Sequence, residues 1–159
     1  MSKLYHLYRE QQLPISMDEA WGFFSSPKNL AKITPDDMGF EITSDFEDEE
    51  IYPGKLISYN ITPIFGISMT WLTEITQAQK PYYFVDEQRS GPYAMWHHEH
   101  HFREINDGIE MRDRLYYQMP FGFLGSTVHS LIVRKRIEHI FDYRYSVLEQ
   151  NYGKVEADN

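Results

Sequence analysis

The stretch MWHHEHHFREINDGIEMRDRLYYQM, residues 95–119, decides the fold. Apolar and polar side chains alternate on both sides of Asn106-Asp107-Gly108, which has the composition of a turn between two strands. Strands joined by so short a connection must pair antiparallel, because a parallel pair needs a crossover of a dozen or more residues. We therefore predict neighbouring antiparallel strands over residues 95–104 and 109–119.

The same period of two continues towards the N-terminus. It predicts further strands over residues 39–46, 55–62, 66–77 and 82–89, with turn residues between them, and a first strand over 3–13 that ends at Pro14. Between the first two strands, Ser16 and Glu19 form a capping box that starts a helix, and Pro27 starts a second, short one. The expected sheet is a seven-stranded antiparallel meander.

The C-terminal part reads as one long helix, from Ser126 to about Gln150. Its apolar positions follow helical spacing, at Val128, Leu131, Ile132, Ile140, Phe141 and Leu148. A sheet with one wet face must bury the other, and this helix is the only predicted element large enough to cover it. The fold class is therefore α+β, with a curved sheet wrapped around the C-terminal helix. We expect one domain over residues 1–153 and a polar tail over 154–159.

Composition restricts the partners. The 159 residues are 42% hydrophobic and 16% aromatic, which indicates a very full core or a core built around a cavity. The absence of cysteine excludes disulfides and thiolate metal sites, and the net charge of −9 argues against nucleic acid. No signal peptide or membrane span is visible, so we expect a soluble cytoplasmic protein without nucleic-acid or membrane partners. The sequence does not predict an oligomeric state.

Alternation divides the histidine-rich strand into two faces. One carries Trp96, His98, His100 and Phe102, and its large apolar side chains should face the helix; the other carries His97, Glu99, His101 and Arg103 and should face water. In the next strand the inward residues are Ile109, Met111, Asp113, Leu115 and Tyr117. A buried carboxylate needs a partner, so we expect Asp113 to pair with His98 or His100.

Three functions compete for this group of side chains. His98 and His100 could bind a metal ion with Asp113 as third ligand. One histidine could instead form a catalytic acid–base pair with Asp113, or the group could be polar lining that orients a ligand. We favour polar lining, without a metal. Since no phosphate-binding glycine motif is present, we also expect no cofactor.

Two apolar segments keep two interpretations each. Met69 and Trp71 share a predicted face with Ile67 and Ile75, as core or as cavity wall. The loop MPFGFLG, residues 119–125, presents Phe121 and Phe123 either as a plug beneath the helix or as a lip over a cavity mouth.

Short motifs along nearly the whole chain resemble the SRPBCC superfamily, which includes the START domains, the birch pollen allergen and the polyketide cyclases. The local sequence is most similar to a bacterial branch of ligand-binding SRPBCC proteins. The matching residues are Ser26-Pro27, Leu30, Thr34-Pro35, Phe84-x-Asp86, Gly91-Pro92-Tyr93, Trp96-x-His98-x-His100-x-Phe102, Asp113, Tyr117 and Pro120-x-Gly122-x-Leu124-Gly125.

The resemblance implies the helix-grip fold and a cavity, between the sheet and the C-terminal helix, for a small hydrophobic or aromatic ligand. The alternative is a cofactor-independent cyclase, dehydratase or hydrolase that uses His98 or His100 with Asp113. The expected ligand-binding residues are Met69, Trp71, Trp96, His98, His100, Phe102, Met111, Asp113, Leu115, Tyr117, Phe121 and Phe123.

Overall fold

The computed structural model describes residues 3–45, 50–63, 66–121, 127 and 132–155. Within these residues one antiparallel sheet contains seven strands, in the spatial order β1-β7-β6-β5-β4-β3-β2. The strands are β1 Leu4–Leu13, β2 Glu41–Ile42, β3 Leu56–Ile61, β4 Met69–Gln79, β5 Tyr83–Ser90, β6 Met95–Ile105 and β7 Gly108–Gln118. The predicted meander is confirmed, and β1 extends it by pairing with β7.

Short helices lie between β1 and β2, as predicted. They are α1 Met17–Phe24 and α2 Pro27–Leu30, followed by 3₁₀ turns at Ala31–Ile33 and Asp36–Met38. The capping box is present, because the Ser16 hydroxyl accepts the backbone N–H of Glu19 and the Glu19 carboxylate accepts that of Ser16. Pro27 occupies the first turn of α2. This segment forms one wall of the space between the sheet and the last helix.

α3, Arg134–Tyr152, covers the inner face of the sheet. Its buried positions are spaced four, three and four residues apart, at Ile137, Phe141, Arg144 and Leu148. Ile137 and Phe141 pack with β7 side chains, whereas Leu148 joins the main core of α1 and the sheet. In the described part of the chain no helix is both long and apolar enough to cross a membrane. The predicted fold class, an α+β helix-grip arrangement, is confirmed.

Some boundaries differ from the prediction. β2 contains only Glu41–Ile42 of the strand expected over 39–46; the left-handed backbone of Gly39 (φ 53°), which ends a 3₁₀ turn, delays its start, and residues 43–45 lie outside the strand. β4 starts at Met69, and Ile67 before it is 60% exposed, so Ile67 does not share the buried face of Trp71 and Ile75. The predicted start of the C-terminal helix at Ser126, with Val128 and Leu131, lies outside the described residues.

The turn between β6 and β7 is packed tightly against the end of β1. Gly108 has φ 149°, and a Cβ atom added there would lie 2.1 Å from the carbonyl oxygen of Leu13. Glycine is needed because a side chain would meet backbone that is itself held in the β1–β7 ladder, where Leu13 pairs with Ile109. This contact fixes the register of β1 against the hairpin.

We predict that Gly108→Ala lowers the free energy of unfolding by about 1–3 kcal/mol, from backbone strain and the clash with Leu13. Gly22→Ala in α1 is the matched control, because nothing lies within 4 Å of the added methyl group. It should raise stability by about 0.5–1 kcal/mol through helix propensity. Denaturant melts of both variants test this; an equal effect at the two glycines would contradict the close approach.

Candidate functional site

A pocket of about 140 Å³ lies between the inner face of the sheet, the α1–α2 segment and α3. Most of its wall is apolar and aromatic. The larger contributors are Phe23, Phe24, Leu30, Ile33, Phe40, Ile51, Ile57, Tyr59, Ile61, Trp71, Ile75, Phe84, Trp96, Ile137, Ile140 and Phe141. The charged or titratable side chains of the wall, tyrosine aside, are Asp86, His98, His100 and Arg144. Together with Asp113 they form what we call the polar cluster.

The register of three neighbouring strands brings the cluster together. Asp86 on β5 pairs with His98 on β6, and His100 on β6 pairs with Asp113 on β7. All four side chains point to the inner face, because alternate residues of a strand share a face and paired residues of neighbouring strands do as well. Two imidazoles in the middle strand therefore lie between two carboxylates in the outer ones.

Each carboxylate hydrogen-bonds the histidine diagonal to it. Nε2 of His98 donates to Oδ1 of Asp113 at 2.9 Å, and Nε2 of His100 donates to Oδ2 of Asp86 at 2.7 Å. Nδ1 of His100 lies 3.1 Å from Oδ1 of Asp113 but outside hydrogen-bonding geometry, so we treat this contact as electrostatic only. Nδ1 of His98 lies 3.5 Å from Oδ2 of Asp86. The two rings are 3.8 Å apart, centroid to centroid.

A buried arginine completes the cluster from the helix side. Arg144 of α3 is 7% exposed, and its Nη1 donates to Oδ1 of Asp113 at 3.3 Å. The guanidinium also lies 5.0 Å from the centre of the Phe141 ring. Asp113, 2% exposed, therefore contacts two imidazoles and a guanidinium at once. Its charge is compensated from both β6 and α3, as a buried carboxylate requires.

The protonation states of the two carboxylates follow from these contacts. Burial acts to raise the pKa of Asp113, but Arg144 and the two histidines outweigh it and hold that pKa well below its usual range. Burial likewise opposes ionisation of Asp86, yet His100 and His98 lower its pKa. Both groups are therefore carboxylates at neutral pH.

The two imidazoles differ. Burial lowers the pKa of His98, and the neighbouring ring of His100 lowers it further. Burial also acts against the imidazolium of His100, but Asp113 and Asp86 outweigh it and raise the pKa of His100. Because two positive charges this close repel each other, only one of the two rings is readily protonated to an imidazolium. His100 is favoured, since its hydrogen bond to a carboxylate is the shorter one. The metal-free cluster thus holds a neutral His98 beside a more basic His100.

The opposite face of β6 carries a separate row of ion pairs. His97 lies 2.6 Å from a Glu87 oxygen and 3.3 Å from a Glu99 oxygen, and His101 lies 2.8 Å from the other oxygen of Glu99. Burial opposes a charge on His97, but Glu87 and Glu99 outweigh it and raise its pKa. These side chains lie on the outward face, as predicted, and are half-buried in the row of pairs rather than freely solvated. The row provides matched controls for the inward histidines.

The predicted site residues divide into three groups. Trp71, Trp96, His98 and His100 line the pocket, and Asp113 lies directly behind the two histidines. Met69, Phe102, Met111, Leu115 and Tyr117 are absent from its wall; Phe102 and Met111 pack in the main core, and Leu115 and Tyr117 pack under α3. Phe121 is 83% exposed with φ 63°, and Phe123 lies outside the described residues.

Two members of the cluster, Asp86 and Arg144, were not among the predicted site residues. The face of Asp86 was undecided in the sequence because apolar residues occupy both faces of β5: Phe84 and Val85 are both buried. Arg144 could have been found, since it lies three residues after Phe141 and four before Leu148 on the apolar stripe of α3. An arginine at such a position must find a buried carboxylate.

The cluster offers two kinds of chemistry. Its carboxylates and imidazoles can hold or transfer a proton at the pocket wall. The cluster could also hold a metal ion, because three of its possible ligand atoms lie within 4.8 Å of one another. They belong to Asp86, His98 and His100. Asp113, the possible third ligand of the disfavoured metal alternative, lies on the far side of the rings from Asp86 and contacts their other nitrogens.

Solved structures share this fold across almost their whole length. A protein of Thermus thermophilus has a TM-score of 0.69 at 14% identity, over 92% of this chain and 95% of that one. Norcoclaurine synthase of Thalictrum flavum, a point mutant in complex with a transition-state analogue, has a TM-score of 0.64 at 14% identity, over 95% and 98%. Ara h 8.0201 has a TM-score of 0.58 at 13% identity, over 94% of this chain and 100% of that one.

At these identities the likeness establishes the fold alone, and that fold is the helix-grip arrangement expected from the sequence motifs. The sequence itself matches no protein-family model and no curated protein.

The contacts of Asp113 predict the effect of removing its charge. In metal-free protein, Asp113→Asn should lower the free energy of unfolding by about 3–5 kcal/mol, because Arg144 loses its buried counter-charge. The pKa of His100 should fall, since Asp113 helps to raise it. His97→Ala, which removes an imidazole between two carboxylates on the outer face, should change stability by less than about 1 kcal/mol. Denaturant melts and histidine titration by NMR test both; an unchanged His100 titration would contradict the pairing.

The depressed pKa of Asp113 also predicts a pH dependence. Folding lowers the pKa of the Asp113 carboxyl, so its ionisation stabilises the folded protein at any pH above the pKa of the unfolded chain, about 4. This stabilisation is lost as the pH falls towards the lower pKa of the folded protein. Wild-type protein should therefore lose stability below about pH 4 more steeply than Asp113→Asn does. Denaturant melts from roughly pH 2 to roughly pH 7 compare the slopes. Parallel acid limbs would show that Asp113 does not titrate as inferred.

Proposed function

We propose that the protein binds a small, largely apolar molecule, about the size of one aromatic ring, with a neutral polar group directed at the polar cluster. The observation that carries this proposal is the composition of the pocket wall. It is apolar and aromatic on the sides formed by the sheet, the α1–α2 segment and α3, and its charged and imidazole groups belong to a single cluster. Such a pocket fixes the orientation of a ligand by its polar end and gains affinity from the rest.

The volume restricts the size of the ligand. Pockets for drug-sized molecules measure about 300–1,000 Å³, whereas an apolar cavity of about 150 Å³ holds benzene. At about 140 Å³, this pocket fits one ring or a short branched chain with a few additional atoms. A long-chain lipid or a polycyclic molecule would need the walls to move apart.

The charges of the cluster restrict the polar group. Asp86 and Asp113 contribute two negative charges and Arg144 contributes one positive charge, and the raised pKa of His100 favours a second positive charge, which leaves the metal-free cluster without net charge when that ring is protonated. Burying a further charge beside a balanced cluster is costly, which favours a neutral hydroxyl or carbonyl group over a carboxylate or an amine.

Buried donors in the wall support the same ligand chemistry. Nε1 of Trp71 and Nε of Arg144 are buried, and neither has a hydrogen-bond partner among the described residues. Most buried polar groups in proteins are satisfied, and an exception at a pocket wall is a candidate donor for a ligand. Neither nitrogen is accessible from the pocket in this structure, so a ligand oxygen would accept from one of them after a small shift of the side chain.

A second candidate is a cofactor-independent enzyme that uses the same pocket. It is favoured by one observation: each imidazole is held by a carboxylate while its ring lines the pocket, an arrangement suited to proton transfer. The fold also accommodates a synthase, since norcoclaurine synthase shares it. Incubation with a bound ligand would support this candidate if the ligand is converted by wild-type protein and not by Asp86→Asn.

The binding proposal predicts affinity for one-ring probes that carry a neutral polar group. Benzyl alcohol and phenol should bind in isothermal titration calorimetry, and benzoate and benzylammonium, of similar size, should bind at least about tenfold more weakly. Ile140→Trp, in the pocket wall on α3, should weaken benzyl alcohol by at least about tenfold because the indole occupies the pocket. Tyr145→Trp, at a 42% exposed position of the same helix, is the control and should leave affinity unchanged.

Native mass spectrometry of protein purified without denaturation gives an independent readout. A retained molecule of one-ring size, lost in Ile140→Trp and kept in Tyr145→Trp, would support the proposal. Equal affinity for the four probes, or an equal effect of the two tryptophan substitutions, would contradict it.

A further inference from the structure

We propose that Asp86, His98 and His100 form a three-ligand site for a divalent transition-metal ion, with Zn²⁺ as the ion that suits it, and that Asp113 orients both imidazoles from behind. This inference does not depend on the proposed function, because metal binding needs no organic ligand in the pocket. It rests on the positions of three ligand atoms, on the contacts of Asp113 with the far nitrogens of both rings and on the pocket in front of them.

Two of the separations between the proposed ligand atoms lie near the value expected for a metal site, and all three atoms lie within 4.8 Å of one another. Oδ2 of Asp86 lies 2.7 Å from Nε2 of His100 and 3.5 Å from Nδ1 of His98. Ligands at the usual zinc distances of about 2.0–2.2 Å in a tetrahedron lie roughly 3.3 Å apart, so these two separations lie on either side of the required one. The three atoms come from neighbouring strands of one sheet, which hold them without help from a loop.

The contacts of the two rings with Asp113, one a hydrogen bond and one electrostatic, leave the opposite nitrogens facing Asp86. Nε2 of His98 donates to Asp113, so a neutral His98 directs the lone pair of Nδ1 towards the pocket and Asp86. His100 is turned the other way, with Nδ1 towards Asp113 and Nε2 towards Asp86. A carboxylate on the far nitrogen of a metal-bound histidine is the usual second layer of such sites, where it fixes the ring orientation.

A network of hydrogen bonds without a metal ion explains fewer of these contacts than a metal site does. It accounts for the contact between His100 and Asp86, but Nδ1 of His98 makes no hydrogen bond to a described residue and lies 3.5 Å from a carboxylate oxygen. Two lone-pair atoms at this distance repel each other unless a proton, a water molecule or a cation lies between them, and a metal ion bound by all three atoms would remove this repulsion. Arg144 keeps its contact with Asp113 and balances the charge of that second carboxylate.

The ligand set favours zinc over harder ions. Two imidazoles and one carboxylate suit Zn²⁺ and related transition metals, whereas Mg²⁺ and Ca²⁺ prefer oxygen ligands. Three protein ligands leave a fourth position open, as in catalytic zinc sites, and all three residues line the pocket. That position is available to water or to an oxygen atom of a ligand.

The experiment uses the full chain, without a histidine tag, stripped with chelator and titrated with ZnCl₂. The outer-face histidines could bind zinc weakly, so the reference protein carries His97→Gln and His101→Gln. We expect this reference protein to bind about one Zn²⁺ per chain by calorimetry and elemental analysis, with a higher melting temperature that chelator reverses. The ring signals of His98 and His100 should shift on zinc addition in NMR spectra, which tests the ligands without substituting them.

Substitutions in the reference protein separate ligands from supporting residues. Asp86→Asn and His98→Gln should each weaken zinc binding by more than about 100-fold, and Asp113→Asn by about 10–100-fold with one ion still bound at saturation. Co²⁺ in place of Zn²⁺ should give visible absorption that is lost in Asp86→Asn.

Three outcomes would overturn the proposal. One is the absence of zinc binding by the reference protein; another is binding that Asp86→Asn leaves intact. The third is zinc binding that leaves the His98 and His100 signals of the reference protein unchanged. Each is distinct from failure of the proposed function, because the probes benzyl alcohol and phenol are tested on metal-free protein.

Discussion

The burial of one carboxylate is the constraint on which the rest of the structure depends. Asp113 is almost inaccessible, and an ionised group in that position is tolerated only if other charges and donors surround it. His98 and His100 supply them from β6 and Arg144 supplies one from α3. The same contacts therefore join the central strands of the sheet to the helix that covers it, so that the cluster has a structural role whatever else it does.

This arrangement also gives the pocket its polarity. Apolar packing would close the space between sheet and helix, but charged side chains of the cluster cannot be covered by apolar groups at no cost. The pocket lies where the cluster meets the aromatic wall formed by residues such as Trp71, Trp96 and Phe141. A small molecule with one polar group, or a metal ion with an open coordination position, would each use this boundary between two environments. Both proposals follow from the same physical asymmetry, and they differ in whether a proton or a metal ion lies between Asp86 and the imidazoles.

The two faces of β6 show why the environment of a histidine matters more than its partners. His97 and His98 are adjacent in sequence, and each contacts two carboxylates. On the half-buried outer face the carboxylates outweigh burial and raise the pKa of His97. On the inner face burial and the ring of His100 lower the pKa of His98 in spite of its carboxylates. A neutral imidazole with a free lone pair can act as a metal ligand or as a base, whereas a raised pKa keeps an imidazole protonated, and unable to do either, over a wider pH range.

The sequence by itself determined the strand order, the capped helix, the covering helix and the inward face of β6, because these depend on local periodicity and turn chemistry. It also determined that Asp113 needs a histidine partner, since burial of its face follows from its apolar neighbours Met111 and Leu115. Tertiary structure decided what periodicity does not encode. The inward position of Asp86 depends on which face of β5 meets the pocket, and both faces carry buried residues there. The contact of Arg144 with Asp113 joins residues 31 positions apart, and it exists only because α3 crosses β7 at that point. Tertiary structure also left Phe102, Met111, Leu115 and Tyr117 in the packed core instead of the pocket wall, because facing inward places a side chain beneath the helix without deciding whether a neighbour fills the space beside it.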